Sequence, residues 1–310
     1  MCYSAMIKEE YAQYVRATGA EIDLDQFMEI FWWGREHDER RIVPRAVERW
    51  FDRPVNDQQR QIHDFIMQRR ATQAATWERD LFAQKKRLAD AERKLAVKAT
   101  KAASESRRIS GRKIDTLLNR LGELHDPARR ASDGRIFPMH YVPIVVRDGG
   151  RRLIRLARYH CRLAGKFAAV DSQLPGLYNA RRDNLTKYWR RAFGISHGLM
   201  LVESFYENVD AHGRNKVLHF QPRPAATMLI ACLYSVWKEP GTGRELLSFA
   251  SITDDPPPEV AATGHDRMII NIKPENVDAW LNPRGRSDDE LQAILSDRQT
   301  PYYEHQVLAA

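Results

Sequence analysis

The chain has 310 residues, of which 43% are hydrophobic and 29% charged. This composition excludes a protein with several membrane spans and a chain that is disordered throughout, and the length suffices for one large domain or two modest ones. The 49 Lys and Arg exceed the 41 Asp and Glu by eight, an excess that is compatible with an anionic partner but does not demonstrate one. Three cysteines without a Cys-x-x-Cys pair support neither a disulfide framework nor a cysteine-rich zinc site.

The N-terminus reads Met1-Cys2-Tyr3 and lacks the basic and apolar regions of a secretory signal. Because residue 2 is small, we expect Met1 to be removed, which leaves Cys2 with a free α-amine beside its thiol. These groups titrate near pH ~8 and ~8.5, so both are partly nucleophilic at neutral pH. Such an aminothiol condenses with an aldehyde to an imine, on which the thiol closes a thiazolidine ring. From this residue alone, a chance cysteine at position 2 stays an open alternative.

The first third of the chain is predicted to be helical. Spaced apolar residues predict two short helices within residues 7–37. From about 57 to 121 the chain lacks proline and is rich in Ala, Gln, Lys, Arg and Glu. Leucines recur there every seven residues, but the second position of each heptad that would face a partner helix is mostly polar. The apolar stripe is therefore too narrow for a stable coiled coil. We predict a long amphipathic helical hairpin instead, as an insertion at about 57–130.

The predicted hairpin carries a run of basic residues. Between Lys85 and Lys113 the sequence has eleven Lys or Arg and three acidic residues. Two interpretations stay open: a solvated helix face, or an arm that contacts nucleic acid.

From Asp133 onward, short apolar or β-branched segments separated by turns predict strands. The predicted strands are 136–137, 141–146, 153–156, 199–202, 227–237, 246–252 and 268–272. Pro274 opens a short predicted helix, and a polar C-terminal tail from about 285 contains one more helix at 288–294. The predicted fold class is α+β: a mostly antiparallel β core at about 130–285 with flanking helices and a long helical insertion.

Several standard site motifs are absent. The sequence has no Gly-x-Gly-x-x-Gly or Walker-type loop, no His-Glu-x-x-His and no Gly-x-Ser-x-Gly. The ten histidines are scattered without metal-ligand spacing. We therefore expect neither a metal nor another cofactor.

Three polar segments border predicted strands. Asn179-Ala180-Arg181 offers an amide and a guanidinium that suit sugar and phosphate oxygens. Glu207 ends an apolar strand beside two aromatic residues, where partial desolvation suits general acid–base catalysis. His265 directly precedes a strand. Each segment, taken alone, is also compatible with an ordinary structural role.

Together these segments resemble the SOS response-associated peptidase (SRAP) family, whose members sense abasic sites in single-stranded DNA. The segments that match are Met1-Cys2, Asn179-Ala180-Arg181, Phe205-Tyr206-Glu207 and His265-Asp266-Arg267-Met268. The resemblance covers the N-terminus and about 130–285. It implies a single SRAP-like domain over residues 1–310, interrupted by the insertion at about 57–130, with a basic cleft for single-stranded DNA.

The resemblance also implies roles for four catalytic residues. Cys2, exposed when the protein removes its own Met1, would attack the ring-opened aldehyde of an abasic sugar and end as a stable thiazolidine crosslink. Asn179 would position the sugar and the amine of Cys2. Glu207 would shuttle protons during ring opening and imine formation. His265 would assist ring opening and crosslink reversal.

The DNA-binding residues that the resemblance implies are Arg181 and Arg267, both as phosphate contacts. Two departures from the family pattern stand nearby. Ser4 occupies a position where many members have an arginine that contacts DNA. Residues 157–163 occupy the place of a tryptophan-containing strand, which makes Tyr159 the candidate for stacking on bases near the lesion.

The expected setting is the cytoplasm of a bacterium or of a phage-infected cell, associated with the nucleoid and without a membrane. We expect a monomer that binds single-stranded DNA with abasic sites, with the replication machinery as a further candidate partner. The enzymatic expectation is autoprocessing peptidase activity together with lyase-like Schiff-base chemistry. The alternative is a non-catalytic basic protein that uses the helical insertion to bind nucleic acid or a replication partner. A peptidase acting on other proteins is a third alternative, for which the sequence specifies no substrate.

Overall fold

The structure is a computed structural model that describes residues 4–8, 10–36, 42–130, 132–211 and 214–308, without the side chains of 34–36, 210–211 and 214–215. The strands in these ranges are β1 (Ser4–Ile7), β2 (Glu21–Ile22), β3 (Arg135–Ile136), β4 (Tyr141–Asp148), β5 (Arg151–Tyr159), β6 (Asn179–Arg181), β7 (His197–Ala211), β8 (Arg214–Arg223), β9 (Met228–Lys238), β10 (Glu245–Asp254), β11 (Met268–Ile269) and β12 (Tyr302–Val307). The α-helices are α1 (Tyr11–Thr18), α2 (Leu24–Glu36), α3 (Arg45–Glu48), α4 (Asp57–Val97), α5 (Lys101–His125), α6 (Val170–Gln173), α7 (Pro258–Ala261), α8 (Val277–Leu281) and α9 (Asp288–Ser296). Within the described ranges, no helix has the length and apolar character needed to cross a membrane.

Five strands close into a barrel. β4 pairs with β5 and β7, β9 pairs with β7 and β10, and β10 returns to β5. The pairs are antiparallel except β10 with β5, which run parallel over a short register. A small closed barrel has an interior only wide enough for side chains, and its strands carry fully buried residues on both faces, among them Leu201, Ile230 and Phe249. The α+β fold class predicted from the sequence is confirmed.

The long strand β7 belongs to two sheets. Its first half lies in the barrel, and its second half pairs with β1 on one edge and β8 on the other. β3 extends the sheet beyond β1, and β12 extends it beyond β8, which gives the order β3-β1-β7-β8-β12. In this outer sheet Ser4 lies opposite Tyr206. The N-terminal strand therefore runs along the part of β7 that carries Glu207.

The C-terminal segment differs from the polar tail that the sequence predicts. α9 begins with a capping box in which Ser287 and Glu290 each accept from the other's backbone N–H. β12 then pairs with β8, and Tyr303 is fully buried with its ring 5.6 Å from that of Phe205. The prediction is wrong because an edge strand exposes most of its side chains, so its composition resembles a tail although one aromatic residue fixes it to the core.

The predicted helical hairpin is formed by α4 and α5. Asn56 caps α4 by accepting from the backbone N–H of Gln59, and Thr100 caps α5 by accepting from that of Ala103. The seam between the helices consists mostly of small buried residues, among them Ala74, Ala91, Ala103 and Ser110. The heptad leucines are only half-buried. The hairpin is thus a pair of closely packed rods and not a leucine-rich coiled coil.

Ion pairs fix the first turns of the hairpin to the body of the protein. The carboxylate of Glu48, only 6% exposed, accepts from Arg69 and Arg70 of α4. The distance from its Oε2 to Nη2 of Arg70 is 2.6 Å. Because both guanidinium groups are largely shielded from water, loss of either partner would leave a buried charge uncompensated, which ties the position of α4 to Glu48.

Two arginines hold the returning end of the hairpin. Arg45 and Arg49, here called the arginine clamp, donate to main-chain carbonyls within residues 123–128. Arg49 also lies 2.9 Å from the carboxylate of Asp133, just before β3. The clamp therefore secures the chain between α5 and the outer sheet.

Candidate active site

The structure brings two of the predicted catalytic residues into direct contact. Glu207 on β7 has a fully buried side chain, and His265, in the loop between α7 and β11, has a side chain only 4% exposed. Their Nε2 and Oε2 atoms are 2.9 Å apart. A carboxyl group and an imidazole thus meet inside the protein, 58 residues apart in the chain.

Both nitrogens of the His265 imidazole have polar neighbours. Nδ1 lies 2.7 Å from the backbone carbonyl oxygen of Arg267 and 3.3 Å from the backbone nitrogen of the same residue. A deprotonated Nε2 and an ionised carboxylate oxygen at 2.9 Å would repel each other. A proton between Nε2 and Oε2 removes this repulsion, so the geometry suits a pair that exchanges a proton.

Strand β10 aligns the other predicted residues with this pair. β6 and β11 flank opposite edges of β10, and Thr253 lies between Arg181 on one side and Ile269 on the other. Asn179, 7% exposed, begins β6 at the same end of β10. The Asn179–Arg181 segment and the loop with His265 are therefore attached to the same few residues of β10.

Arg181 and Arg267 lie on a rim rich in charge. Nε and Nη2 of Arg181 donate to the carboxylate of Asp183 at 2.9 and 2.7 Å. These hydrogen bonds lower the pKa of Asp183 below its ordinary value, and the nearby Arg267 lowers it further. Nε of Arg267 is 3.6 Å from the carboxylate of Asp266. Both predicted phosphate contacts are thus neighbours, and each has an acidic residue beside it.

Arg135 on β3 belongs to none of the sequence motifs but contacts the N-terminal strand and the residue before Glu207. Its guanidinium lies 3.9 Å from the ring centroid of Tyr206, and that ring stacks on His219 with centroids 4.4 Å apart. Nε and Nη2 of Arg135 also lie 3.3 Å from Oγ of Ser4, as donors to the hydroxyl. Burial and the Arg135 cation together lower the pKa of His219. Stacking and hydrogen bonding therefore fix the orientation of this guanidinium.

Arg135 differs from Arg181 and Arg267 in its counter-ions. Within the part of the chain that the structure describes, no carboxylate lies within ion-pair distance of Arg135. A half-buried cation without a carboxylate attracts an external anion. No sequence signal distinguishes it among 49 Lys and Arg, since its environment depends on the pairing of β3 with β1.

The structure places Tyr159 in the core and not on a surface. Its side chain is 1% exposed, and its ring stacks on Phe249 at 5.1 Å and meets Tyr178 edge-on at 5.7 Å. A base cannot reach either face of a ring packed in this way. We therefore do not retain Tyr159 as a candidate for base stacking, and assign it to the packing of the barrel.

Cys2 lies outside the described residues. The other two cysteines, Cys161 and Cys232, are fully buried. Burial raises the pKa of Cys161 to about 12 and raises that of Cys232 as well. Thiols in such surroundings are poor nucleophiles. Among the described side chains there is also no group of three or more His, Cys, Asp or Glu that could hold a metal ion.

The chain belongs to the SOS response associated peptidase (SRAP) family. A sequence model of this family matches residues 100–309, which is more than half of the chain. The resemblance drawn from Asn179-Ala180-Arg181, Glu207 and His265 is thereby confirmed at the level of the family.

Relatives that are named abasic site processing proteins come from Bacillus and one of its phages. The chain is 26% identical over 163 residues to "Abasic site processing protein YoqW" of Bacillus subtilis (strain 168), covering 52% of this chain and 71% of that protein. A protein of the same name from Bacillus phage SPbeta gives the same values. "Abasic site processing protein YoaM" of Bacillus subtilis is 26% identical over 163 residues, which cover 70% of its length.

Solved structures with some similarity come from other bacteria. A crystal structure of a protein from Bacteroides thetaiotaomicron has a TM-score of 0.49 at 15% identity, covering 57% of this chain and 78% of that one. One from Bordetella bronchiseptica has a TM-score of 0.48 at 16% identity, covering 57% and 88% of the two chains.

Proposed function

We propose that this protein recognises abasic sites in single-stranded DNA and becomes covalently attached to them through Cys2 once Met1 is removed. The observation that carries the proposal is the buried contact between Glu207 and His265, which supplies a proton donor and acceptor beside the N-terminal strand. Membership of the SRAP family and the names of the Bacillus relatives support abasic DNA as the substrate.

The proposed reaction joins an aminothiol to an aldehyde. The α-amine of Cys2 attacks C1′ of the ring-opened sugar to form a carbinolamine, which takes up a proton and loses water to give an imine. The thiol sulfur then adds to the imine carbon, and the nitrogen receives the proton that the thiol gives up. The net change is loss of one water and formation of a C–N and a C–S bond. No oxidant, reductant or metal enters this balance.

The register of the outer sheet limits how far the nucleophile can lie from the acid–base pair. Ser4 is opposite Tyr206, the neighbour of Glu207. Cys2 is two residues from Ser4 in the chain, and two residues span at most about 7 Å.

Each polar residue has a part in this proposal. Glu207 and His265 hold the proton needed first to open the sugar ring and then to expel water. Asn179 offers an amide to the sugar hydroxyls and to the amine of Cys2. Arg181 and Arg267 bind phosphates beside the lesion. His265 also returns a proton during reversal of the crosslink.

Arg135 is the further phosphate contact that we assign. Ser4 stands where many SRAP proteins have an arginine, and the guanidinium of Arg135 rests on the Ser4 hydroxyl at 3.3 Å. A cation supplied by β3 would thus take the place of one missing from β1.

Exchange of Cys2 for alanine tests the proposed reaction. Wild-type protein without Met1 is expected to form a heat-stable adduct with single-stranded DNA carrying one abasic site, seen on a denaturing gel. The Cys2→Ala variant should form none, while Cys161→Ala should react like wild type. Absence of an adduct from wild-type protein whose N-terminal mass shows Cys2 to be exposed would contradict the proposal. Full activity of Cys2→Ala in DNA protection would instead favour the alternative, a non-catalytic DNA-binding protein.

We also propose that the protein removes Met1 itself. Cell-free synthesis without a methionine aminopeptidase should yield wild-type protein that lacks Met1, as measured by mass spectrometry. Cys2→Ala protein made in the same way should retain it. Retention of Met1 by the wild type would contradict self-removal without affecting the crosslinking proposal.

Replacement of Arg135 by glutamine is expected to weaken binding of abasic single-stranded DNA about fivefold. The slope of the logarithm of the binding constant against the logarithm of the salt concentration should become shallower by about 0.7, the value for one lost phosphate contact. Fluorescence anisotropy over a range of salt concentrations measures both. Arg151→Gln, which removes an exposed arginine from the far end of β5, is the matched control. Equal affinities and slopes for Arg135→Gln and wild type would contradict the phosphate contact.

A further inference from the structure

The net positive charge of the chain is confined to one segment. Residues 85–113 contain eleven Lys or Arg and three acidic residues. The whole chain has 49 Lys and Arg and 41 Asp and Glu, so the residues outside this segment have 38 basic and 38 acidic residues and no net charge. The excess of eight therefore belongs entirely to residues 85–113, which we call the basic tip.

The basic tip is the distal end of the hairpin. It consists of the last thirteen residues of α4, the turn at 98–100 and the first thirteen residues of α5. At a rise of ~1.5 Å per residue, each helical part is about 20 Å long. Lys85 lies fifteen residues beyond Arg70, which is paired with Glu48 of the body. The basic tip therefore extends from about 20 to about 40 Å beyond that ion pair.

All eleven basic side chains of the tip are exposed to solvent. Arg93 and Arg108 pair with Asp90 and Glu105 of their own helices. The other nine have no carboxylate within ion-pair distance among the residues that the structure describes. Exposed pairs of this kind are weak, so a polyanion competes for these two arginines as well. The tip thus presents a dense and mostly uncompensated cationic surface.

The composition of the tip indicates which anion it fits. Residues 85–113 contain no Phe, Tyr or Trp, whereas surfaces that read unpaired bases use aromatic side chains for stacking. Its small apolar residues are used in the seam between α4 and α5. Lysine and arginine without aromatic neighbours bind phosphates and carry no preference for base sequence.

We propose that the basic tip is a second DNA-binding site, which holds the phosphate backbone of DNA at a distance from the lesion. The proposal rests on the proposed function only for the choice of DNA as the polyanion. Contact at the tip makes binding at the lesion site intramolecular, so it raises the effective concentration of the lesion without touching it. The benefit requires DNA that is long enough to reach both sites.

The test compares two variants with the same loss of charge. The tip variant is Lys85→Gln, Lys86→Gln, Arg87→Gln, and the control variant is Arg151→Gln, Arg190→Gln, Lys238→Gln, three exposed residues off the hairpin. The tip variant should bind undamaged DNA of about forty nucleotides about tenfold more weakly than wild type. The slope of log K against the logarithm of the salt concentration should become shallower by about 2. The control variant should stay within about twofold of wild type. Single-stranded and duplex DNA are both titrated, and the form with the larger loss is the one that the tip contacts.

Dependence on DNA length separates this proposal from the proposed function. An abasic oligonucleotide of about six nucleotides spans only about 20 Å at a ~3.4 Å rise, so wild type and the tip variant should crosslink it equally. A long abasic strand should be crosslinked less efficiently by the tip variant at limiting concentration. Equal binding of undamaged DNA by tip variant and wild type, or equal weakening by the control variant, would overturn the proposal. If the basic tip contributes to DNA binding but no adduct forms on abasic DNA, the proposed function is contradicted and the proposal of a second DNA-binding site is supported.

Discussion

Replacing Glu207 by glutamine is expected to slow formation of the DNA adduct by about 10²- to 10³-fold, within the range of a lost general acid–base catalyst. Glutamine keeps the size of the side chain but cannot take up or release a proton under these conditions. In the proposed reaction, ring opening and loss of water from the carbinolamine both need that proton. We therefore expect a loss in the rate of the covalent step and little change in the affinity for DNA.

Single-turnover experiments with excess protein and an abasic oligonucleotide measure this rate on a denaturing gel. Glu203→Gln is the matched control, because Glu203 lies on the same strand with a half-exposed carboxylate paired to Lys8 at 2.7 Å. This control should react within about threefold of wild type, since surface substitutions rarely perturb a site. A Glu207→Gln rate as fast as that of the control would contradict the assignment.

His265 provides a second measurement of the same unit. His265→Asn is expected to lose less than Glu207→Gln, because solvent protons can partly replace an imidazole. The double variant should be little slower than Glu207→Gln alone, since residues that share one proton act as a unit and their effects do not add. Strictly multiplicative losses would show that the two residues act separately.

Acidification from pH 7 to pH 5 is expected to lower the free energy of unfolding by about 4 kcal/mol. Two largely buried imidazoles, those of His197 and His140, make the main contribution. Nε2 of His197 accepts from the backbone N–H of Gly194 at 2.9 Å, and Nδ1 lies 3.1 Å from the carbonyl oxygen of Trp280, to which it donates. Burial lowers the pKa of His197 to about 3, and burial lowers that of His140 to about 4.

The direction of this effect follows from proton uptake. Both folded-state pKa values lie below the ordinary value of 6.5. Between pH 6.5 and the folded values, the unfolded chain binds protons that the folded protein excludes, so stability falls as the pH falls. At pH 5 each imidazole contributes about 2 kcal/mol to this loss. The stabilisation is fully present above the ordinary histidine pKa.

Urea unfolding of the wild type at pH 7 and pH 5 measures the loss directly. A difference below about 1 kcal/mol would contradict the prediction. His197→Gln should reduce the difference between the two pH values, although its stability at pH 7 will also be lower. His305→Gln alters an exposed histidine on β12 and should leave the difference unchanged.

Local sequence patterns predicted the regular elements well and the pairing of short strands poorly. The hairpin and the apolar strands β4, β5, β9 and β10 have patterns of their own, because a strand buried on both faces is a continuous apolar run and a helix buried along one face has periodic apolar residues. β6, with only three residues, and β12 have no such pattern. They are strands because β10 and β8 offer free edges to them, and this information lies far away in the chain.

In the candidate site, too, local motifs identified residues, while contacts between distant segments were not predictable. Glu207 and His265 were predicted from short motifs that the family shares, but their 2.9 Å contact depends on how the loop before β11 folds back onto β7. Arg135 was missed because its role arises from β1, β3 and β7 together. Tyr159 was misplaced because an aromatic residue near a strand end is equally suited to a core and to a binding surface.

The arginine clamp has a mechanical consequence for the proposed binding of DNA at two points. α4 is a rod of about 60 Å, so a sideways pull on its distal end produces a large torque at the root. Arg45 and Arg49 hold the returning chain before Asp133, two residues ahead of β3. Together with the pairs at Glu48, they resist that torque before it reaches β3 and β1. Under the proposal that the basic tip holds DNA, motion of that DNA would be mechanically separated from β1, the strand that follows Cys2.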